Sequence, residues 1–212
     1  MKFSFPSLET VGRFIADNNV TLDFPELKSA VSFNVKATKS ISIPKLKKVR
    51  NLSVLYTRLE SPALSTIDIL DVSNATIDLP KLSGTLTTIR IENSEVVLPN
   101  IEEATHISVS KGALLLLPNI TVVKSYIHIS NASTLMMPEV DFISGDIELQ
   151  KGSSIYANKL VNIGGNLLIG SANYKNAADG KTLLPKIELG YLTDVKGGIS
   201  INNPTPIELP EL

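Results

Sequence analysis

Residues 64–82 read Leu-Ser-Thr-Ile-Asp-Ile-Leu-Asp-Val-Ser-Asn-Ala-Thr-Ile-Asp-Leu-Pro-Lys-Leu and contain the pattern on which the fold depends. Aliphatic and polar residues alternate over residues 70–72 and again over residues 77–79, which is the period of a β-strand with one buried face. Asn74, between the two runs, is a turn residue. Pro80 ends the second run, and because proline fixes φ and has no amide to donate, it indicates a corner.

The same unit recurs along the whole chain, and proline residues mark it. They are 18 to 20 residues apart, at Pro6, Pro25, Pro44, Pro62, Pro80, Pro99, Pro118 and Pro138. Asn158 continues the series, and Pro185 and Pro210 follow after 27 and 25 residues. An aliphatic residue stands two positions after each marker: Leu8, Leu27, Leu46, Leu64, Leu82, Ile101, Ile120, Val140, Leu160, Ile187 and Leu212.

These repeats predict an all-β fold, a right-handed parallel β-solenoid of about ten coils of 18–20 residues that forms one domain over residues 1–212. One such coil cannot bury its apolar side alone, whereas stacked coils share a continuous aliphatic core. A β-sandwich is the alternative fold, but it does not require a recurring proline. The buried positions expected in the quoted unit are Leu64, Ile67, Leu70, Val72, Ile77 and Leu79.

Composition excludes several classes of protein. The chain has 20 basic and 21 acidic residues and a net charge of −1, so a nucleic-acid partner is not expected. It has no cysteine, which excludes disulfides and thiolate metal sites. The longest apolar run, residues 113–117, is far shorter than the roughly eighteen residues that indicate a membrane helix.

The unit L-x-x-h-x-x-h-x-h-x-N…h-x-L-P-x-L, where h is hydrophobic, resembles the leucine-rich repeats of receptor L-domains. It is similar to those of fungal cell-wall surface proteins and of BspA-like bacterial surface proteins, most clearly in residues 161–169 and 195–203. The resemblance implies a repeat protein displayed on a cell surface and used for recognition or adhesion. The chain would then be extracellular after removal of a signal peptide, which residues 1–6 do not contain.

A search for chemistry assigns no catalytic, cofactor-binding or metal-binding residue. His106 and His128 are expected to be exposed strand and turn residues. Asp71 and Glu148 fall in one outward column several coils apart. The other outward acids, Asp23, Glu60, Asp78 and Glu208, are read as a solvated face. A carboxylate pair about 5–10 Å apart beside a groove would instead favour a carbohydrate-active β-helix enzyme.

One outward column changes character along the chain. Before each corner it is polar in the first five coils, at Ser4, Asp23, Ser42, Glu60 and Asp78, and then becomes apolar. With one residue of the neighbouring column, the apolar side chains form a predicted stripe: Val97, Leu116, Met136, Tyr156, Leu168 and Leu183. Such a stripe would expose on the order of 400–600 Å², which indicates either a partner or a covering loop.

Two further features bear on partners. Residues 170–182 form a polar insertion that lengthens one coil by about eight residues over its neighbours, and it is the candidate cover for the predicted stripe. Both ends of the array are expected to expose strand edges, and at most a short irregular cover is expected over residues 8–17. At least one end, with the C-terminal end favoured, is therefore expected to be completed by further sequence or by another chain.

These observations favour a non-enzymatic recognition or adhesion module that binds a protein or glycan through a lateral face, without a cofactor. The alternative is a structural subunit of a larger assembly, such as a virion or a fibre. The expected open ends and the predicted stripe both support that alternative, because the chain could self-associate through either of them. A carbohydrate-active enzyme is the third hypothesis.

Overall fold

A computed structural model describes residues 1–170 and 186–202, together with the backbone of residues 174–175 and 182–183. The predicted fold is confirmed: the described part of the chain is all-β, without a helix, and its parallel strands stack as a solenoid of about nine turns. No helix in the described part is long and apolar enough to span a membrane.

In chain order the strands are β1 (Lys2–Ser4), β2 (Thr10–Ala16), β3 (Thr21–Asp23), β4 (Ser29–Lys36), β5 (Ser40–Ser42), β6 (Lys48–Leu55), β7 (Arg58–Glu60), β8 (Thr66–Ser73), β9 (Thr76–Asp78), β10 (Ser83–Glu92), β11 (Glu95–Val97), β12 (Asn100–Ser110), β13 (Leu114–Leu116), β14 (Val122–Val123), β15 (Ile127–Ile129), β16 (Thr134–Met136), β17 (Phe142–Ile143), β18 (Ile147–Leu149), β19 (Ser154–Tyr156), β20 (Asn162–Ile163), β21 (Leu167–Ile169), β22 (Tyr174–Lys175), β23 (Thr182–Leu183), β24 (Ile187–Glu188), β25 (Asp194–Val195) and β26 (Ile199–Ile201).

One face of the solenoid is a continuous sheet. Its backbone path runs β2-β4-β6-β8-β10-β12-β14-β17-β20-β25, and β15, β18, β21 and β26 extend it from β12. From the seventh coil onward, two short strands joined by a bend therefore replace one long strand. Alternation along these strands places one side chain of each coil in a shared inward column: Phe14, Phe33, Leu52, Leu70, Ile89, Ile107, Ile127, Ile147, Leu167 and Ile199.

The strands before the corners form the second face, which is divided into three sheets. These are β1-β3-β5, β7-β9 and β11-β13-β16-β19-β24. The register within them agrees with the predicted outward column, since Ser4 pairs with Asp23, Asp23 with Ser42, and Glu60 with Asp78. The second face is thus discontinuous between β5 and β7 and between β9 and β11.

Seven of the described prolines lie at the second position of a β-turn: Pro6, Pro25, Pro44, Pro62, Pro80, Pro118 and Pro138. The amide of Leu27 donates to the carbonyl of Phe24 at 3.4 Å, and the amide of Leu46 donates to that of Ile43 at 3.2 Å. Proline suits this position because its fixed φ matches the turn and no amide is needed there. The aliphatic residue two positions later is the fourth turn residue, and it re-enters the core.

The assignment of Ile187 to this series is wrong, and Pro185 lies outside the described residues. Ile187 lies in β24 and pairs with Ile155 of β19, so it precedes the corner. The turn is formed instead by Leu189 and Leu192, whose amide donates to the Leu189 carbonyl at 3.2 Å, and Gly190 occupies the proline position. Pro210 and Leu212 lie outside the described residues.

The opposite corner uses left-handed backbone. Positive φ angles recur there in successive coils, at Ala37, Tyr56, Asn74, Asn93, Lys111, Asn131 and Lys151 among others. In the later coils the bend before β18 and β21 brings backbones into contact. A Cβ on Gly145 would clash with the carbonyl oxygen of Ser125, and one on Gly164 would clash with that of Ser144.

The core is aliphatic along most of its length and aromatic near the first coils. Five of the six positions predicted from residues 64–82 are buried, and Ile77 is partly buried against the core. Its strand, β9, borders the break with β11. In the early coils Phe5 stacks on Phe24, with ring centroids 4.8 Å apart, and Phe14 meets Phe24 edge-on at 4.9 Å.

Two expectations about segments need correction. Residues 10–16 are the first strand of the continuous sheet and not an irregular cover. The insertion lengthens its coil more than expected, because hydrogen bonds join residues 32 positions apart across it, against 20 in the preceding coil. Its backbone includes an antiparallel pairing of β22 with β23.

Candidate functional site

Four residues of the predicted stripe lie in one column of the second face. Val97 pairs with Leu116, Leu116 with Met136, and Met136 with Tyr156, on strands β11, β13, β16 and β19. We call these four residues the apolar stripe. With parallel strands about 4.8 Å apart, it extends for roughly 14 Å along the solenoid axis.

The alternation of a strand brings one more apolar residue to this face. Leu114 begins β13 two positions before Leu116, so both side chains point outward, and Leu114 lies between Glu95 and Thr134 in its own column. The signal was present in the sequence, because Leu114 to Leu117 is a run of four leucines that alternation divides between the two sides of the strand.

The apolar stripe exposes less surface than a row of isolated side chains would. Leu116, Met136 and Tyr156 are only partly exposed, because each has a large neighbour in the coil before or after it. Val97 is 52% exposed, since β11 is the edge strand of its sheet. Val97, the most exposed of the four side chains, therefore lies at the end of the apolar stripe that borders the break between β9 and β11.

At its other end the apolar stripe meets a pair of charged residues. Tyr156 pairs in register with Glu188. The Lys186 ammonium lies 5.3 Å from the centre of the Tyr156 ring and 2.7 Å from Oε1 of Glu188. Leu183 therefore does not follow Tyr156 in the column; it lies in β23, opposite Tyr174, and its side chain is outside the described residues.

Leu168 does not extend the apolar stripe. It pairs with Glu148 on one side and with Ser200 on the other, in the extension of the continuous sheet. The corner at residues 150–153 separates that sheet from β19. Leu168 instead borders a hollow of about 410 Å³ that Glu148, Gln150 and Asn202 also line.

A cleft opens where the second face is interrupted between β9 and β11. We call it the lateral cleft; its volume is about 680 Å³. The apolar residues that line it are Ile77, Leu79, Pro80, Val97 and Pro99, and the polar ones are Arg58, Thr76, Asp78 and Glu95. Because Val97 belongs to both, the lateral cleft and the apolar stripe form one continuous surface.

The charges around the lateral cleft are predominantly negative. Nη2 of Arg58 lies 2.6 Å from Oε1 of Glu60, so this guanidinium is already paired within its own strand. Among the described residues, neither Asp78 nor Glu95 has an ion-pair partner. Both carboxylates are exposed at the rim.

A second group of polar side chains lies on the continuous sheet. Nδ1 of His128 is 3.0 Å from Oε2 of Glu148 in the next coil, and the Gln150 amide donates to the other oxygen of the same carboxylate. The Asn166 amide group donates to Oδ1 of Asp146 at 3.0 Å. The contacts of His128 with Glu148 and of Asn166 with Asp146, both between adjacent coils, were not predicted from the sequence.

Two pairs of neighbouring carboxylates in the described coils are Glu60 with Asp78, and Asp146 with Glu148. Glu60 and Asp78 are register partners, but both are exposed and Glu60 is paired with Arg58. Asp146 immediately precedes β18 and Glu148 lies within it, two residues further on, and the oxygens of both carboxylates accept the hydrogen bonds described above. Asp71 lies four coils before Glu148, and Arg90, Ser108 and His128 occupy the positions between them in the column. Burial raises the pKa of the Asp71 carboxyl, although the positive charge of Arg90 lowers it.

Within the described ranges, no group of three or more histidine and acidic side chains is arranged to hold a metal ion. Comparison with protein-family models, with curated proteins and with solved structures finds no match to this chain.

Proposed function

We propose that this protein is a non-enzymatic recognition module that binds another protein through the surface formed by the apolar stripe and the lateral cleft. The observation that carries the proposal is the in-register alignment of Val97, Leu116, Met136 and Tyr156 beside a cleft with an apolar floor. We further propose that it acts as an extracellular or cell-surface adhesion module, which the likeness of its repeats to leucine-rich surface proteins supports.

The dimensions of this surface support a partner that covers more than the apolar stripe. A stable protein interface buries about 800 Å² on each side, and its energy is concentrated in a central apolar cluster surrounded by polar residues. The apolar stripe supplies such a cluster. Thr134, Ser154 and the rim of the lateral cleft supply polar surroundings.

Selection from a library of random dodecapeptides tests the proposal without knowledge of the natural partner. Peptides are selected on the wild-type protein after removal of those that bind the L116S/M136S variant. Because both substituted side chains point outward, we expect the variant to stay folded, with a melting temperature close to that of the wild type. We expect enriched peptides to bind the wild type at least about tenfold more tightly than the variant.

The matched control is the I69S/V122S variant, which removes two partly exposed apolar side chains from the continuous sheet. Peptides selected on the apolar stripe should bind this control as they bind the wild type. Selection that enriches no peptide, or peptides that bind all three proteins equally, would contradict the proposed function.

Self-assembly into a larger structure is a second candidate, favoured by the same column of apolar side chains, Val97, Leu116, Met136 and Tyr156. A structural subunit would associate with a second copy of the chain through this lateral surface. Sedimentation velocity over a hundredfold range of concentration tests this, because a constant monomeric coefficient would rule out such association.

A further inference from the structure

Seven acidic residues in the described coils are paired with a lysine or arginine in an adjacent coil. Lys28 lies 2.8 Å from Glu9, Lys45 lies 2.6 Å from Glu26, and Lys111 lies 2.6 Å from Glu92. Such pairs form because parallel stacking places equivalent side chains of adjacent coils side by side. The same arrangement joins Lys36 to Asp17, Arg50 to Asp68, Lys124 to Glu103 and Lys159 to Glu139.

The two carboxylates at the lateral cleft lack this kind of partner. Glu95 is followed in its column by Leu114 of the next coil. Asp78 is the last residue of β9, and across the break its column continues with Val97. An apolar residue therefore stands where other acids of the chain meet a lysine or arginine.

Carboxylates at the rim and aliphatic residues at the floor define the chemistry of a complementary ligand. A segment that fills the lateral cleft must present apolar side chains to Ile77 and Val97. Binding of the segment is more favourable if it also carries a positive charge near Asp78 and Glu95. Electrostatic complementarity at the rim accelerates association and disfavours partners of the wrong charge.

We infer that the partner of this face is a basic, apolar polypeptide segment, in which lysine or arginine residues flank the hydrophobic residues that enter the lateral cleft. This inference rests on the proposed function and names the partner class of the same surface. The basic residues lie at the Val97 end, where the carboxylates are unpaired. At the Tyr156 end, Lys186 already occupies the surface beside Glu188.

Two capped nonapeptides test the inference, one of alternating leucine and lysine and one of alternating leucine and glutamate. Binding of each is measured by fluorescence anisotropy at low and at high salt. We expect the lysine peptide to bind the wild type at least about tenfold more tightly than the glutamate peptide, and to weaken as salt screens the rim charges. The D78N/E95Q variant should bind the lysine peptide about fivefold to tenfold more weakly.

The control variant is E102Q/D141N, which removes two exposed carboxylates without ion-pair partners among the described residues, and so changes the net charge equally. It should bind the lysine peptide as the wild type does. Equal losses in both variants would mean that the peptide responds to overall charge, and the inference would be wrong.

The two proposals fail in different ways. If library selection on the apolar stripe succeeds but the enriched peptides lack lysine and arginine, or if the glutamate peptide binds as well as the lysine peptide, the charge inference is overturned and the proposed function stands. If library selection yields no peptide that distinguishes the wild type from L116S/M136S, the proposed function itself fails.

Discussion

Tyr156 and Glu188 occupy the same position in adjacent coils, although the coil that joins them is 32 residues long and the coil before it is 20. All of the extra length lies between β21 and β24. In the preceding coil, the equivalent corner consists of residues 150–153. The solenoid therefore resumes its register after the insertion, because the pairing of β19 with β24 depends on the stacked core and not on the length of the connection.

Replacement of residues 170–186 with the sequence of residues 150–154 should leave the solenoid folded. The change restores a 20-residue coil, and loops of different length alter the closure entropy only slightly. We expect the circular dichroism spectrum to be retained and the melting temperature to change by no more than a few degrees, about the effect of 1 kcal/mol in a domain of this size. Loss of cooperative unfolding would show that the insertion contributes to the core.

Ser61 is the target of a stabilising substitution. Its hydroxyl is fully buried at the corner position where other coils have a hydrophobic residue, and it has no hydrogen-bond partner among the residues that the structure describes. Because a buried, unsatisfied polar group is unfavourable, Ser61→Ala should raise the free energy of unfolding by about 1 kcal/mol.

Ser153 provides the matched control for Ser61. It is equally buried, but its hydroxyl donates to the Gln150 carbonyl at 2.6 Å, so Ser153→Ala should lower the free energy of unfolding by about 1 kcal/mol. Urea titration of both variants measures the difference. A change of the same sign in both would contradict the assignment.

Gly145 is required by the close approach of two coils. An alanine there would place its Cβ against the carbonyl oxygen of Ser125, and backbone atoms cannot move away as a side chain can. Gly145→Ala should therefore lower the free energy of unfolding by more than about 1 kcal/mol. Gly12→Ala is the control, since nothing lies within 4 Å of its Cβ position; a similar loss at Gly12 in urea titration would argue against the steric explanation.

Asp71 should make stability depend on pH. Burial raises the pKa of its carboxyl in the folded protein, with opposition from Arg90, so the folded state binds a proton more readily than the unfolded state does. Stability then falls as the pH rises from the unfolded pKa through the raised folded value. Asp71→Asn removes the ionisation and should be more stable than the wild type at pH 7, by less than about 1 kcal/mol because the group is only half-buried.

The difference between the wild type and Asp71→Asn should disappear below about pH 3, where Asp71 is protonated in both the unfolded and the folded state. Denaturant titrations at several pH values follow this convergence. Asp68→Asn is the control on the same strand, because the side chain of Asp68 is 48% exposed and lies 3.6 Å from Arg50. A gain at pH 7 for Asp68→Asn that matches the gain for Asp71→Asn would exclude burial as the cause.

Local sequence was sufficient to predict the fold and much of the candidate site. The alternation at residues 70–72 and the turn at Pro80 predicted strands and corners correctly, since both depend on neighbouring residues in the chain. The column from Val97 to Tyr156 was also found from the sequence. The prediction from sequence was wrong at Leu183 and Ile187. The spacing of prolines no longer indicates which residues pair between strands once an insertion changes the length of a coil.

The sequence by itself determined that this protein is a stack of parallel coils, because each coil repeats the same alternation and the same turn chemistry. Only the tertiary structure decided where the second face breaks, which residue follows Tyr156, and how far Val97 is exposed. These properties depend on the fit between coils, and so does the lateral cleft. Asp78 and Glu95 are separated by 17 positions in the chain, yet the break between β9 and β11 places both at the rim of one cleft.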